Sequence, residues 1–83
     1  STTIAYHLPE PSKVRIHVVN TFGQTVDVLV DEERPAGENT VIWNAGGSRG
    51  RAIPSGTYFY RIHATSTVSS REFVSEKSMF LLK

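Results

Sequence analysis

Eighty-three residues, with nine Lys and Arg, eight Asp and Glu and no cysteine, make a chain of single-domain size. Folding a chain this short buries only about 60–65% of its unfolded surface, so its core has to be assembled with little waste; without thiols, disulfides and thiolate-bound zinc are excluded as supports. The net charge of +1 is too small to draw the chain to nucleic acid or to a membrane by charge alone.

The dominant period is two. Ile4, Tyr6 and Leu8 alternate with Ala5 and His7, the pattern of a half-buried strand, and Pro9-Glu10-Pro11 ends it. Val14, Ile16 and Val18 then alternate with Arg15, His17 and Val19 up to a turn at Asn20-Thr21-Phe22-Gly23. A third strand is expected over Val26 to Val30, closed by an acidic turn at Asp31-Glu32-Glu33 and followed by Pro35-Ala36-Gly37. Asn39, Val41 and Trp43 open a fourth. Asn44 to Arg51 holds three glycines and two arginines among eight residues, the composition of a loop. Ala52-Ile53 reads as a short strand before the Pro54-Ser55-Gly56 turn. The strongest strand follows, Thr57 to Ala64, with Tyr58, Tyr60 and Ile62 on one face. Thr65 to Ser70 reads as a polar turn and Glu72 to Leu82 as a last long strand.

That makes seven strands at roughly the 8–12-residue spacing of a sandwich. The expected fold is an all-β, seven-stranded, antiparallel immunoglobulin-like sandwich forming one domain over residues 1–83. Its candidate core is Ile4, Tyr6, Leu8, Val14, Ile16, Val18, Val41, Trp43, Tyr58, Tyr60 and Ile62. Trp43 is the natural centre, because its indole covers the most area. Gly23 and Gly37 read as turn positions with positive φ. Gly56 reads as a site of close backbone approach that lets Tyr58 pack at a sheet corner.

No candidate for chemistry outweighs its structural reading. Gly46-Gly47-Ser48-Arg49-Gly50 matches the G-x-S-x-G of a nucleophile elbow, but no helix follows and the chain is too short for that fold. As a phosphate cradle the same loop lacks the lysine and the helix N-terminus. His7, His17 and His63 fall at the outward phase of their strands, as three exposed side chains on one sheet, without metal-ligand spacing. Asp31, Glu32 and Glu33 lack the spacing of a calcium loop. Most of the aromatics, Tyr6, Phe22, Trp43, Tyr58, Tyr60, Phe73 and Phe80 among them, are assigned to the core rather than to a sugar-binding face, and Phe59 is the outward exception. The expectation is a non-enzyme without metal or cofactor. The longest aliphatic and aromatic run, Met79 to Leu82, spans no bilayer. No basic and apolar leader opens the chain, so the signal of an exported parent is expected upstream.

Taken together and in order, these elements resemble the type A C-terminal sorting domain of the type IX (Por) secretion system of Bacteroidetes, itself similar to the immunoglobulin-like module of the flagellar hook-capping protein. The resemblance is carried by Ser1-Thr2-Thr3-Ile4 with Tyr6 and Leu8-Pro9-Glu10, by Val14-Arg15-Ile16 running into Val19-Asn20, and by Phe22-Gly23-Gln24. It continues through Val28-Leu29-Val30, Pro35-Ala36-Gly37, Val41-Ile42-Trp43-Asn44 and Gly50-Arg51. It closes on Pro54-Ser55-Gly56-Thr57-Tyr58-Phe59-Tyr60-Arg61 and Lys77-Ser78-Met79-Phe80-Leu81-Leu82-Lys83. The family's Asn-Pro-rich lead before the first element is not in this chain, and Gly46 to Arg49 lacks the acidic residue usual there.

The resemblance implies a folded transport signal, with Gly56, Tyr58, Lys77, Met79, Leu81 and Lys83 as candidate recognition residues. It implies an outer-membrane type IX translocon and its processing machinery as partners. It also implies a cargo that passes the periplasm to the cell surface or the outside, and cleavage upstream of Ser1. The domain is expected to be monomeric. A structural immunoglobulin-like spacer or hook-capping assembly module is the alternative, and a carbohydrate-binding accessory module a remote one.

Overall fold

The computed structural model describes residues 2–43 and 54–81. Its strands are β1 (Thr2–Leu8), β2 (Ser12–Val19), β3 (Thr25–Arg34), β4 (Gly37–Trp43), β5 (Gly56–Ser66) and β6 (Glu72–Leu81). All pairings are antiparallel: β1 and β4 form a two-stranded ribbon, and the other four form a sheet in the order β3-β2-β5-β6. The described residues therefore hold six strands rather than seven. The expected strand at Ala52-Ile53, the glycine loop at residues 46–50 and Lys83 lie outside them.

Two strands run further than expected. β3 continues through Asp31, Glu32 and Glu33, because a basic strand lies alongside: Arg15 stands opposite Asp31 and Lys13 opposite Glu33. Lys13 Nζ lies 3.6 Å from Asp31 Oδ1, and Arg34 pairs with Glu32. Opposite charges facing each other across strands favour pairing, so the chain turns only at Pro35-Ala36. β5 likewise extends to Ser66, whose side-chain oxygen accepts from the amides of Val68 and Ser69, both at 3.1 Å. This hydroxyl-capped turn joins β5 to β6. Thr67 ties it to the β1–β2 connection, its amide and hydroxyl donating to the Pro11 carbonyl at 2.9 and 3.2 Å.

The core fills the space between ribbon and sheet in two clusters. One gathers Tyr6, Leu8, Val14, Ile16, Val30, Ile62 and Ala64, the other Val18, Trp43 and Tyr58. Of the residues expected in the core, Val41 and Tyr60 are only half-buried: Tyr60 lines the flank of the sheet beside the ribbon, and Val41 lies on β4, which among the described strands pairs only with β1. Val30, Ala64 and Val19 are buried in addition. The β2–β3 register shifts between Ile16 and His17 and again between Val18 and Val19. Such bulges place an extra residue on one strand and disturb strict alternation. Leu29 and Val26, the residues the shifts leave over on β3, pack against the core.

Candidate interaction surface

The densest functional candidate in the sequence, the Gly56-Tyr58 corner with the closing strand, comes together at one end of the β5–β6 ladder. Gly56 lies opposite Leu81, Tyr58 opposite Met79 and Tyr60 opposite Lys77. Tyr58 donates its hydroxyl proton to the Pro54 carbonyl at 2.6 Å. Its ring meets Trp43 edge to face, with centroids 5.7 Å apart and planes at 67°, a favoured aromatic arrangement. Met79 and Leu81 pack onto the same cluster. Gly56 has φ +154°, and a Cβ there would meet nothing within 4 Å. Its requirement is conformational, since side chains rarely adopt that backbone region, and not the close approach expected. Four of the six candidate recognition residues are thus structural neighbours, Lys77 stands one inward position further along, and Lys83 is outside the described residues.

Behind this corner lies a polar anchor that strand alternation does not signal. Asp27 is buried, and its Oδ2 accepts from Trp43 Nε1 at 3.2 Å while its Oδ1 accepts from the Val28 amide at 2.9 Å. The pairing meets the requirement that a buried indole N–H find an acceptor. A single Asp amid Val26, Val28 and Val30 was the available signal, and it reads as an outward residue until Trp43 is placed above it.

The outer face of the four-stranded sheet is a field of cross-strand ion pairs. Arg61 Nε donates to Glu76 Oε2 at 2.6 Å, and His63 Nε2 lies 3.7 Å from Glu72. His17 stands opposite Arg61. Its partial burial, helped by Arg15 and Arg61, lowers its pKa against a weaker opposing pull from Glu76. The three histidines do not lie on one sheet, contrary to expectation: His17 and His63 are on the four-stranded sheet, and His7 is on the ribbon, where its Nδ1 lies 2.9 Å from Glu38 Oε1. Among the described residues no group of three His, Asp or Glu side chains is arranged to hold a metal ion.

Two aromatics assigned to the core are on the surface. Phe22 is 86% and Phe80 69% exposed. Phe22 tips the β2–β3 hairpin, whose backbone is consumed by Asn20: its Oδ1 accepts from the amides of Phe22 and Gln24 at 2.9 and 3.0 Å. Phe80 falls at the outer phase of β6, opposite Thr57. Phe59 is on the outer face of the sheet with Arg61 and His63, as alternation places it, and is half-buried there. It stands opposite Val19, which is buried although none of the described strands forms a second layer over that face.

A groove of about 250 Å³ opens where the ribbon falls short of the sheet. One wall is the β1 segment Ala5 to Leu8; Tyr60, Ile62 and Ala64 of β5 and Phe73, Val74, Ser75 and Lys77 of β6 line the rest.

Among known families, the model of the FlgD Ig-like domain matches residues 1–68, which covers β1 to β5 and stops short of β6. No curated protein and no solved structure matches the chain.

Proposed function

The chain belongs to the FlgD Ig-like domain family, and from that premise we propose that it serves a larger protein as a non-enzymatic immunoglobulin-like structural module of the hook-capping kind. The observation that carries this reading is the family match from β1 through β5. It is supported by the use of polar side chains in the described residues, which brace strands and turns: Asp27 holds Trp43, Tyr58 holds Pro54, and Asn20 and Ser66 hold the two hairpin turns. A rigid sandwich offers a preorganised face, so docking a partner costs little ordering. The test replaces the module in its parent protein by an unrelated immunoglobulin-like domain. Loss of the parent's assembly with its partners supports a specific assembly role. Full assembly after the swap reduces the module to a spacer, and full assembly after outright deletion overturns the reading.

A second reading is favoured by one observation. The ordered motifs continue past the family match to Lys77-Ser78-Met79-Phe80-Leu81, and β6 sets Met79 and Leu81 of that element onto the Trp43 cluster. On this reading the folded domain is a secretion signal, read by an outer-membrane type IX translocon, and the cargo is cleaved from it upstream of Ser1. Fusing residues 1–83 to an inert periplasmic reporter in a type IX-competent host tests it. Arrival of the reporter at the surface or in the medium supports sorting. A reporter that stays periplasmic beside a folded domain defeats it.

A further inference from the structure

We propose that the groove between β1 and β6 is a strand-addition site, which takes an extended segment of a partner protein carrying alternate apolar side chains and a carboxylate aimed at Lys77. This stands on the groove itself and holds whichever of the two roles the module has.

Three observations lead to it. First, β4 is the sole partner of β1 among the described strands, and no β4 residue lines the groove. The other edge of β1, unpaired among the described strands, therefore borders the opening, and a row of backbone donors and acceptors along such an edge is a template for another strand. Second, the floor is the inward face of β5 and β6 along the side of the ribbon. Ile62 and Ala64 are buried there, while Tyr60 and Phe73 are half-buried. An apolar site of about 150 Å³ takes a benzene-sized group, so about 250 Å³ admits one such group with room beside it, or smaller aliphatic side chains in its place. Alternate residues of an added strand would point at this floor, since successive side chains face opposite ways.

Third, the inward phase of β6 turns polar where the ribbon ends. It reads Phe73, Ser75, Lys77, Met79 and Leu81, and Ser75 and Lys77 are exposed. The charged residues around the opening are otherwise matched. His7 faces Glu38, and on the opposite face of β6 Glu76 is held by Arg61 and Glu72 lies by His63. Lys77 takes part in no ion pair with the described residues. A lone ammonium at the lip of an apolar groove selects for an acidic occupant, because electrostatic complementarity sets register and partner choice.

The experiment titrates the folded domain, followed by NMR, with two synthetic peptides as long as β1. Both have threonines alternating with two valines and one charged residue on the same face. The charge is Glu in one and Lys in the other. The expected result is saturable binding of the Glu peptide, with shifts confined to the groove lining: Ala5–Leu8, Tyr60–Ala64 and Phe73–Lys77. Affinity for the Lys peptide should be lower by about threefold or more, the scale of one partly exposed ion pair. Lys77→Glu should reverse that preference. Ser75→Phe, which fills the groove from an exposed position, should abolish binding of both while leaving the fold intact. Glu33→Gln, on the far edge of the sheet, should leave binding of both peptides unchanged. Equal binding of the two peptides, shifts elsewhere, or no saturation at millimolar peptide overturns the proposal. So does a groove whose shifts depend on protein concentration without peptide, for then a second copy is the occupant.

Discussion

Trp43 and Asp27 form the residue pair on which the packing turns. Trp43 is 1% exposed, and truncating a buried aromatic to Ala loses its transfer free energy and leaves a cavity. Trp43→Ala is therefore expected to cost about 3–5 kcal/mol, a large share of a small domain's stability; urea denaturation measures it. Asp27→Ala leaves the indole N–H buried with its acceptor gone and should cost about 1–3 kcal/mol. Asp27→Asn, which keeps an acceptor, should lose less. His17 gives the pH dependence its sign. Burial first, then Arg15 and Arg61, lowers its pKa from 6.5, so the unfolded chain binds the proton more readily than the native one. Stability on this account is whole above the unfolded pKa and falls as pH drops from there toward the lowered native value. His17→Gln should flatten the thermal midpoint between pH 7 and 5 relative to the parent chain, and an unchanged slope removes His17 as the source.

At the scale of the element, turns and strand ends are set by single residues. The β2–β3 hairpin closes through Asn20, whose amide donates to the Gln24 carbonyl while its own carbonyl accepts from Gly23, both at 3.0 Å. Gly23 sits there at φ +82°, as a turn glycine does. Gly56 opens β5 at φ +154° with free space beside it, so a substitution meets backbone strain and no clash. Gly56→Ala should cost about 1–3 kcal/mol and act mainly on the β5–β6 end, where Leu81 is its register partner. Hydrogen exchange should show protection lost around Tyr58 and Met79 before the β2–β3 hairpin is affected. Uniform loss across both sheets would assign the glycine a global role instead.

The whole molecule is an elongated sandwich of 40 × 21 × 18 Å, built from a narrow ribbon over a broader sheet. β6 lies beyond the segment that the family model covers, yet its register with β5 runs unbroken from Glu72–Thr65 to Leu81–Gly56. Ending the chain at Ser70 would remove the Met79 and Leu81 contacts to the Trp43 cluster and turn β5 into a long apolar edge, a template for aggregation. The shortened chain should lose its cooperative thermal transition and associate in size-exclusion chromatography. A monomeric, cooperatively melting product would show that β1 to β5 suffice.

Alternation by itself determined that the chain is all-β, that Ile4, Tyr6, Leu8, Val14, Ile16 and Val18 face inward, and that Trp43 and Tyr58 share the core, because a period of two maps directly onto the two faces of a strand. Only the tertiary structure decided which strands are neighbours, and several side chains follow from that alone. Asp31 to Glu33 are strand rather than turn because Lys13 and Arg15 lie beside them. Asp27 is inside because an indole N–H stands above it. Phe22 and Phe80 are outside because one tips a hairpin and the other occupies the outward phase of β6. The groove beside β1 follows from the same cause: among the described strands two lie over four, and no local pattern records the width of the opposite sheet.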